Sequence, residues 1–173
     1  IPQARPEEMR QIGIEGLKKA RELDQASGWS KQSTDAVLAW CNEVNGLPVQ
    51  NFRKTAHAEA FKVDGERLND ARVVTYGCPN CTMHCGITIH DKEGRESELD
   101  YENIGMLGPN INVFDLKQVG SLNYLCDDYG LDTISAGSVL GFYADAIERG
   151  ATSRDFKFGD AEKGKELLGQ IAL

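Results

Sequence analysis

Three cysteines fall within the nine-residue run Cys78-Pro79-Asn80-Cys81-Thr82-Met83-His84-Cys85-Gly86, and no other stretch of the chain constrains it as much. A tight turn can aim three thiolates at one centre, and the soft acceptors that prefer sulfur are an iron–sulfur cluster or a zinc ion. The Cys-x2-Cys-x3-Cys spacing supplies three ligands where a cluster or a closed zinc site takes four. On these residues alone three readings stay open, the first two being a cluster with a fourth ligand from elsewhere and a zinc-binding structural module completed by His84 or His90. A helical interaction domain with incidental cysteines is a third.

Composition narrows the class. At 173 residues, 40% apolar and 27% charged, the chain is expected to form one domain with a sizeable core. Its net charge of −8 argues against nucleic acid or an anionic membrane as the main partner. No run of about 20 apolar residues suggests a membrane span, and no basic-then-apolar leader opens the chain. Five cysteines, three of them clustered, fit a metal site in a reducing compartment better than a disulfide framework. The absent initiator Met and the apolar pattern of Leu167-Leu168-Gly169-Gln170-Ile171-Ala172-Leu173 suggest one domain, residues 1–173, excised from a longer protein.

Hydrophobic periodicity predicts mostly helices. Met9, Ile12, Leu17, Ala20 and Leu23 recur at helical steps over 6–26, with Pro6, Glu7 and Glu8 suited to a first turn. A polar break over 27–34 separates this from a helix over 35–44 with Val37, Trp40, Cys41 and Val44 on one face; Trp40 and Cys41 are expected in the core. Pro48 points to an extended connector over 47–52. A short helix is expected over 56–61 and another after Asp64-Gly65. Alternation over Gly86–His90 and 96–99 across Asp91-Lys92-Glu93-Gly94 predicts a hairpin. A short helix over 100–107 ends at Gly108-Pro109, and a longer one from Asp115 carries Val119, Leu122, Leu125, Cys126 and Tyr129 to a break at Gly130. Asp132 suits the cap of a helix over 133–149, whose Ala136, Val139, Leu140, Tyr143 and Ile147 face a core. On that helix Gly137 and Gly141 leave a smooth strip for a neighbour. The expected fold is mainly α, an irregular multi-helix bundle with one small β-hairpin.

Asp127-Asp128-Tyr129-Gly130-Leu131-Asp132-Thr133 is a second chemical element, because two carboxylates bracketing a glycine turn can converge on a planar, donor-rich ligand. A helix cap beside a solvated acid would account for it equally. Three segments occur together in a specific order: the thiol run, Asp100-Tyr101-Glu102 leading to Leu107-Gly108-Pro109-Asn110, and Asp127 through Gly137. In that combination the chain resembles the tungsten-containing aldehyde ferredoxin oxidoreductase family, over about residues 47–150, the helical middle domain of such an enzyme.

The resemblance implies a set of roles. In that family tungsten, or molybdenum in its place, is held by two pterin dithiolenes with no protein ligand, and a [4Fe-4S] cluster passes electrons to ferredoxin as an aldehyde becomes a carboxylic acid. Cys78, Cys81 and Cys85 match three cluster ligands; the fourth belongs to a later Gly-Leu-Cys motif that this chain lacks. Asp127 and Asp132 match acids that accept hydrogen bonds from pterin N–H groups, with Gly130 and Leu131 giving backbone contact. Glu102 matches a carboxylate near the metal, suited to acid–base help, although a helix N-terminal acid would look the same. A relative acting on another substrate would preserve the same motifs. The implied partners are the missing amino-terminal and carboxy-terminal domains, ferredoxin, an aldehyde and a second parent copy in a homodimer, in the cytoplasm. Alone, the fragment is expected to lack cofactor and activity, and its thiol loop and Asp127–Asp132 turn are expected on one face.

Overall fold

The computed structural model describes residues 4–79, 81 and 83–173, without the side chains of residues 24–27. Among the described residues the chain forms eight α-helices and one small antiparallel sheet. Helices α1 (Pro6–Arg21), α2 (Asp24–Gln32), α3 (Leu38–Glu43) and α4 (Gly65–Ala71) come first. Strands β1 (Arg72–Tyr76), β2 (Gly86–His90) and β3 (Glu96–Leu99) follow, then α5 (Tyr101–Leu107), α6 (Leu116–Tyr129), α7 (Thr133–Glu148) and α8 (Ala161–Ala172).

The mainly α architecture stands, and the predicted hairpin is β2–β3, paired from Ile87 opposite Leu99 to His90 opposite Glu96. A third strand, β1, joins it in the order β1-β2-β3. Its side chains are mostly exposed, which leaves no clean alternation to read from sequence.

Several local expectations are corrected. The segment around residues 27–34 is not a break but helix α2, with the turn falling instead at residues 22–23. Residues 35–44 divide into a 3-10 turn, Thr34–Val37, and the short α3. Trp40 is 60% exposed and Val44 51%, so the core face of this helix is carried by Leu38 and, in part, Cys41. The connector is extended only over 47–49; Gln50, Asn51 and Phe52 all take positive φ. That left-handed turn is held by the Gln50 and Asn51 N–H groups donating to Pro109 O and Asn110 O. The helix expected over 56–61 is a 3-10 turn at Ala60–Lys62. Helix α1 buries none of its residues, so its apolar stripe lies outside the core. On α7, Val139 faces outward at 50% exposure, while Leu140 is buried.

The core is a single cluster in which Ile87, Ile89 and Leu99 of the sheet meet Val119, Leu122 and Cys126 of α6 and Leu168 of α8. Helix α7 approaches α5 closely because Gly137 has no side chain. A Cβ there would lie 2.5 Å from Met106 O, and Asn110 Nδ2 donates to Gly137 O at 3.0 Å across the same contact. Replacing Gly137 by Ala forces the two helices apart and is expected to cost about 1–3 kcal/mol. At Gly13, by contrast, a Cβ meets nothing within 4 Å, and Ala there should stabilise by about 0.5–1 kcal/mol through helix propensity. Urea unfolding of both variants, read as midpoints at constant m, checks the opposite signs.

Candidate functional site

The site lies at one end of the sheet and is assembled by connectivity. Strand β1 ends at Tyr76, opposite Gly86 at the start of β2, and β3 ends at Leu99, opposite Ile87. The described part of the thiol loop, residues 77–79, 81 and 83–85, therefore leaves the same edge at which Asp100, Tyr101 and Glu102 begin α5. Helix α6 runs toward that edge. Near its start it meets the β2–β3 turn, where Lys92 N–H donates to Lys117 O, and nearly two turns from its end Asn123 meets Ser97 and Glu98 of β3. Asp127 lies a further helical turn along. The thiol loop, Glu102 and the Asp127–Asp132 turn are thus gathered at one end of the molecule.

The acidic motif is a helix exit joined directly to a helix entry. Gly130 takes φ +67°, with its N–H donating to Asp127 O at 3.2 Å and the Leu131 N–H donating to Cys126 O at 2.8 Å. This pair of bonds closes α6 in the left-handed manner that glycine favours. Two residues later Asp132 Oδ1 accepts the Ser135 N–H at 2.7 Å and caps α7. Asp132 is fully exposed, and its bonds from Ser135 hold its carboxyl below the usual range. Asp127 differs: desolvation pushes its carboxyl up, against a bond from Asn123, whose Nδ2 donates to Oδ2 at 3.1 Å. Among the described residues its Oδ1 has no hydrogen-bond partner in the chain. Leu131 is half-buried against the core, and Cys126 is fully buried, its thiol pushed up to about 12 mainly by desolvation.

Glu102 sits exposed in the first turn of α5. That turn is fixed from three sides. Asp100 and Asn103 form a reciprocal capping box, Tyr101 N–H donates to Thr34 Oγ1 at 3.0 Å, and Tyr101 O–H donates to Cys41 Sγ at 3.4 Å. Burial, followed by the Cys41 thiol, pushes the Tyr101 hydroxyl up. Behind it Asp35 is completely buried, neither of its carboxylate oxygens finds a partner, and desolvation followed by Asp64 and Asp100 pushes its carboxyl well up.

In the thiol loop Cys78 and Cys81 are exposed and Cys85 is half-buried. The Cys81 N–H donates to Cys78 O at 2.9 Å, and Cys81 Sγ accepts the Met83 N–H at 3.4 Å. At the neck of the loop a Cβ on Gly77 would lie 3.1 Å from His84 Cα, so the two arms pass closely. Among the described residues no three His, Cys, Asp or Glu side chains are gathered tightly enough to hold a metal ion. The donors suit a sulfur-ligated group, with accessible thiols and an N–H aimed at sulfur. His90 is displaced from the zinc reading, because it lies at the opposite end of β2, roughly 13 Å along the strand from Gly86. His84 stays on the loop, exposed, at φ +48°.

The comparisons with known proteins agree with the ordered motifs. Residues 11–173 match the family model described as aldehyde ferredoxin oxidoreductase, domains 2 and 3. The chain belongs to this family. It is 32% identical over 168 residues to the tungsten-containing aldehyde ferredoxin oxidoreductase of Pyrococcus furiosus, covering 93% of this chain and 27% of that protein. The enzyme of the same name from Thermococcus kodakarensis is 31% identical, with the same coverage. A P. furiosus protein described as an aliphatic sulfonate oxidoreductase, WOR-like subunit, is 33% identical over 156 residues, 83% of this chain and 23% of that one. The chain thus spans about a quarter of the length of these family members. No helix among the described residues is long and apolar enough to cross a membrane.

Sequence reasoning missed Asn103 and Asn123, which connect the two acidic segments. The one available signal was Asn123 itself, four residues from Val119 and next to Leu122 on an otherwise apolar face.

The carboxyls of Glu98, Asp100 and Asp127 are each pushed up, first by desolvation, and Glu98 and Asp100 further by neighbouring carboxylates. A folded-state pKa above the unfolded one means that folding is favoured when the group is protonated and penalised as pH rises through the raised value. Asp127→Asn keeps an amide oxygen for the Asn123 donor and removes one such penalty. Urea unfolding should show the variant more stable than the parent chain at pH 7, with the difference vanishing below about pH 4, near the unfolded carboxyl value.

Proposed function

We propose that this chain is the cofactor-binding portion of a tungsten-pterin oxidoreductase that oxidises an aldehyde to a carboxylic acid and delivers the electrons through a [4Fe-4S] cluster to ferredoxin. The observation that carries the reading is the gathering of the thiol loop, Glu102 and the Asp127–Asp132 turn at one end of the sheet, in a family member whose relatives are named tungsten-containing enzymes. Electron transfer needs a short gap between a pterin group and a cluster, and this end of the molecule offers ligand chemistry for both.

Asp127, through its free Oδ1, and Asp132 would accept hydrogen bonds from pterin N–H groups. Gly130 and Leu131 would present backbone groups at the turn between them. Cys78, Cys81 and Cys85 would hold three corners of a cluster, with the fourth thiolate supplied from outside residues 1–173. When bound, the tungsten-pterin group supplies the two-electron redox chemistry. Glu102, exposed at this end and anchored by the capping box, would take a proton from the water whose oxygen adds to the aldehyde carbon.

A second substrate class has its own support. The relative named for aliphatic sulfonates is as similar as those named for aldehydes, at 33% against 32% identity. Domains beyond this chain would then set the choice, so both substrates belong in any assay of the parent enzyme.

In the full-length parent, Glu102→Gln should lower aldehyde-dependent dye reduction by about 10²–10⁴-fold while leaving tungsten per chain unchanged. A parent without tungsten and pterin by metal and fluorescence analysis would overturn the reading. The 173-residue chain alone should show no aldehyde-dependent dye reduction, and after aerobic purification should carry well under about four irons and four sulfides. Stoichiometric colourless zinc in it would favour the zinc-binding module instead.

A further inference from the structure

We propose that Asn123 is a positioning residue that fixes the Asp127 carboxylate relative to the Glu102-bearing first turn of α5, through one continuous hydrogen-bonded strut from Asp100 to Asp127. Its role toward a pterin rests on the functional reading above; the strut itself does not. The carboxamide of Asn123 is 1% exposed. Its Nδ2 donates to Glu98 O at 2.8 Å, Ser97 Oγ at 3.1 Å and Asp127 Oδ2 at 3.1 Å, and its Oδ1 accepts from Asn103 Nδ2. Asn103 in turn accepts the Asp100 N–H with its Oδ1, while its own N–H is accepted by Asp100 Oδ1.

The orientation of the Asn123 amide is dictated by chemistry. A backbone carbonyl and a carboxylate are acceptors only, so the NH2 must face Glu98 O and Asp127, and the oxygen is left for the Asn103 amide. Two N–H groups serve three acceptors, which leaves no spare capacity and no second arrangement of equal quality. Asn123 therefore ties three elements at once: the end of β3, the first turn of α5 beside Glu102, and the last turn of α6 at Asp127. Neither the apolar packing around it nor the backbone bonds of α6 set the rotation of the Asp127 side chain. The Asn123 donor does, holding Oδ2 and leaving Oδ1 without a partner among the described residues.

Two variants separate positioning from bulk stability. Asn123→Leu, which keeps the branched outline and the number of side-chain heavy atoms in a larger volume, removes the whole strut. Asn103→Asp keeps the acceptor for the Asp100 N–H, so the cap survives, but loses the donor to Asn123; it serves if Asn123→Leu fails to fold. In the 173-residue chain, hydrogen exchange of the Gly130 and Leu131 amides should quicken by about tenfold or more in either variant. Amides of β2 and of the second half of α7 should change by less than about threefold. A uniform acceleration along the chain, or none at Gly130 and Leu131, overturns the proposal. In the full-length parent, tungsten per chain should fall several-fold in Asn123→Leu with iron per chain unchanged. Tungsten at the wild-type level, or iron and tungsten falling together, would equally count against it. A wild-type parent that holds no tungsten would sink the functional reading instead, and the exchange measurement alone would then decide the strut.

Discussion

The docking of α6 against β3 is the contact on which the rest depends, and a buried primary amide specifies it. Apolar side chains such as Ile87, Ile89 and Leu99 on the sheet and Val119 and Leu122 on α6 provide the driving force, since burying a large aliphatic side chain contributes about 1.5–3 kcal/mol. Apolar surfaces tolerate sliding, because neighbouring registers bury similar areas. Asn123 does not, because displacement along the strand would strand a buried amide that meets its acceptors only in one place. Leaving such a group unpaired costs about 1–3 kcal/mol, comparable to one lost core contact.

That fixed register has a consequence for chemistry. It brings the exit of α6 to the edge of the sheet from which the thiol loop leaves and at which α5 starts. The exit is made by the Gly130 turn and the entry to α7 by the Asp132 cap, so the acidic motif serves secondary structure and presents its carboxylates in the same residues. The helix-cap account and the ligand account of this motif are therefore not competitors. One oxygen of Asp132 is used by the Ser135 N–H, and one of Asp127 by Asn123, while Asp127 Oδ1 stays available.

The same end of the molecule concentrates acids at a cost to stability. Glu98, Asp100 and Asp127 are each held above their ordinary values, as is the buried Asp35 behind Tyr101. Where local chemistry conflicts with stability, function is a reasonable place to look for the compensation. Elsewhere the packing is close, as where Gly137 lets α7 sit directly on the backbone of α5.

How much of this was legible beforehand follows from the range of the forces involved. Helix caps and stops act within four residues, and so Asp64, Asp100, Asp115, Asp132 and Gly130 marked their elements correctly in the linear sequence. The β2–β3 hairpin and the glycine strip of α7 were readable for the same reason, as were the ordered motifs that identify the family. Which side of a short helix faces the core is decided by partners far away in the chain: Trp40 and Val139 look apolar and inward in sequence but stand 60% and 50% exposed. Strand β1 exists because β2 pairs with it, and the turn at Gln50–Phe52 because Pro109 and Asn110 accept its N–H groups. The link between Asn103 and Asn123 is of the same kind. Neither helix by itself names the partner of its amide, and twenty residues separate the two. Local sequence determined where the capped helices α4, α5, α6 and α7 begin and that α6 stops at Gly130; only tertiary structure decided that Asn123 would tie β3, α5 and α6 together, because a buried hydrogen bond is specified by the geometry of both partners at once.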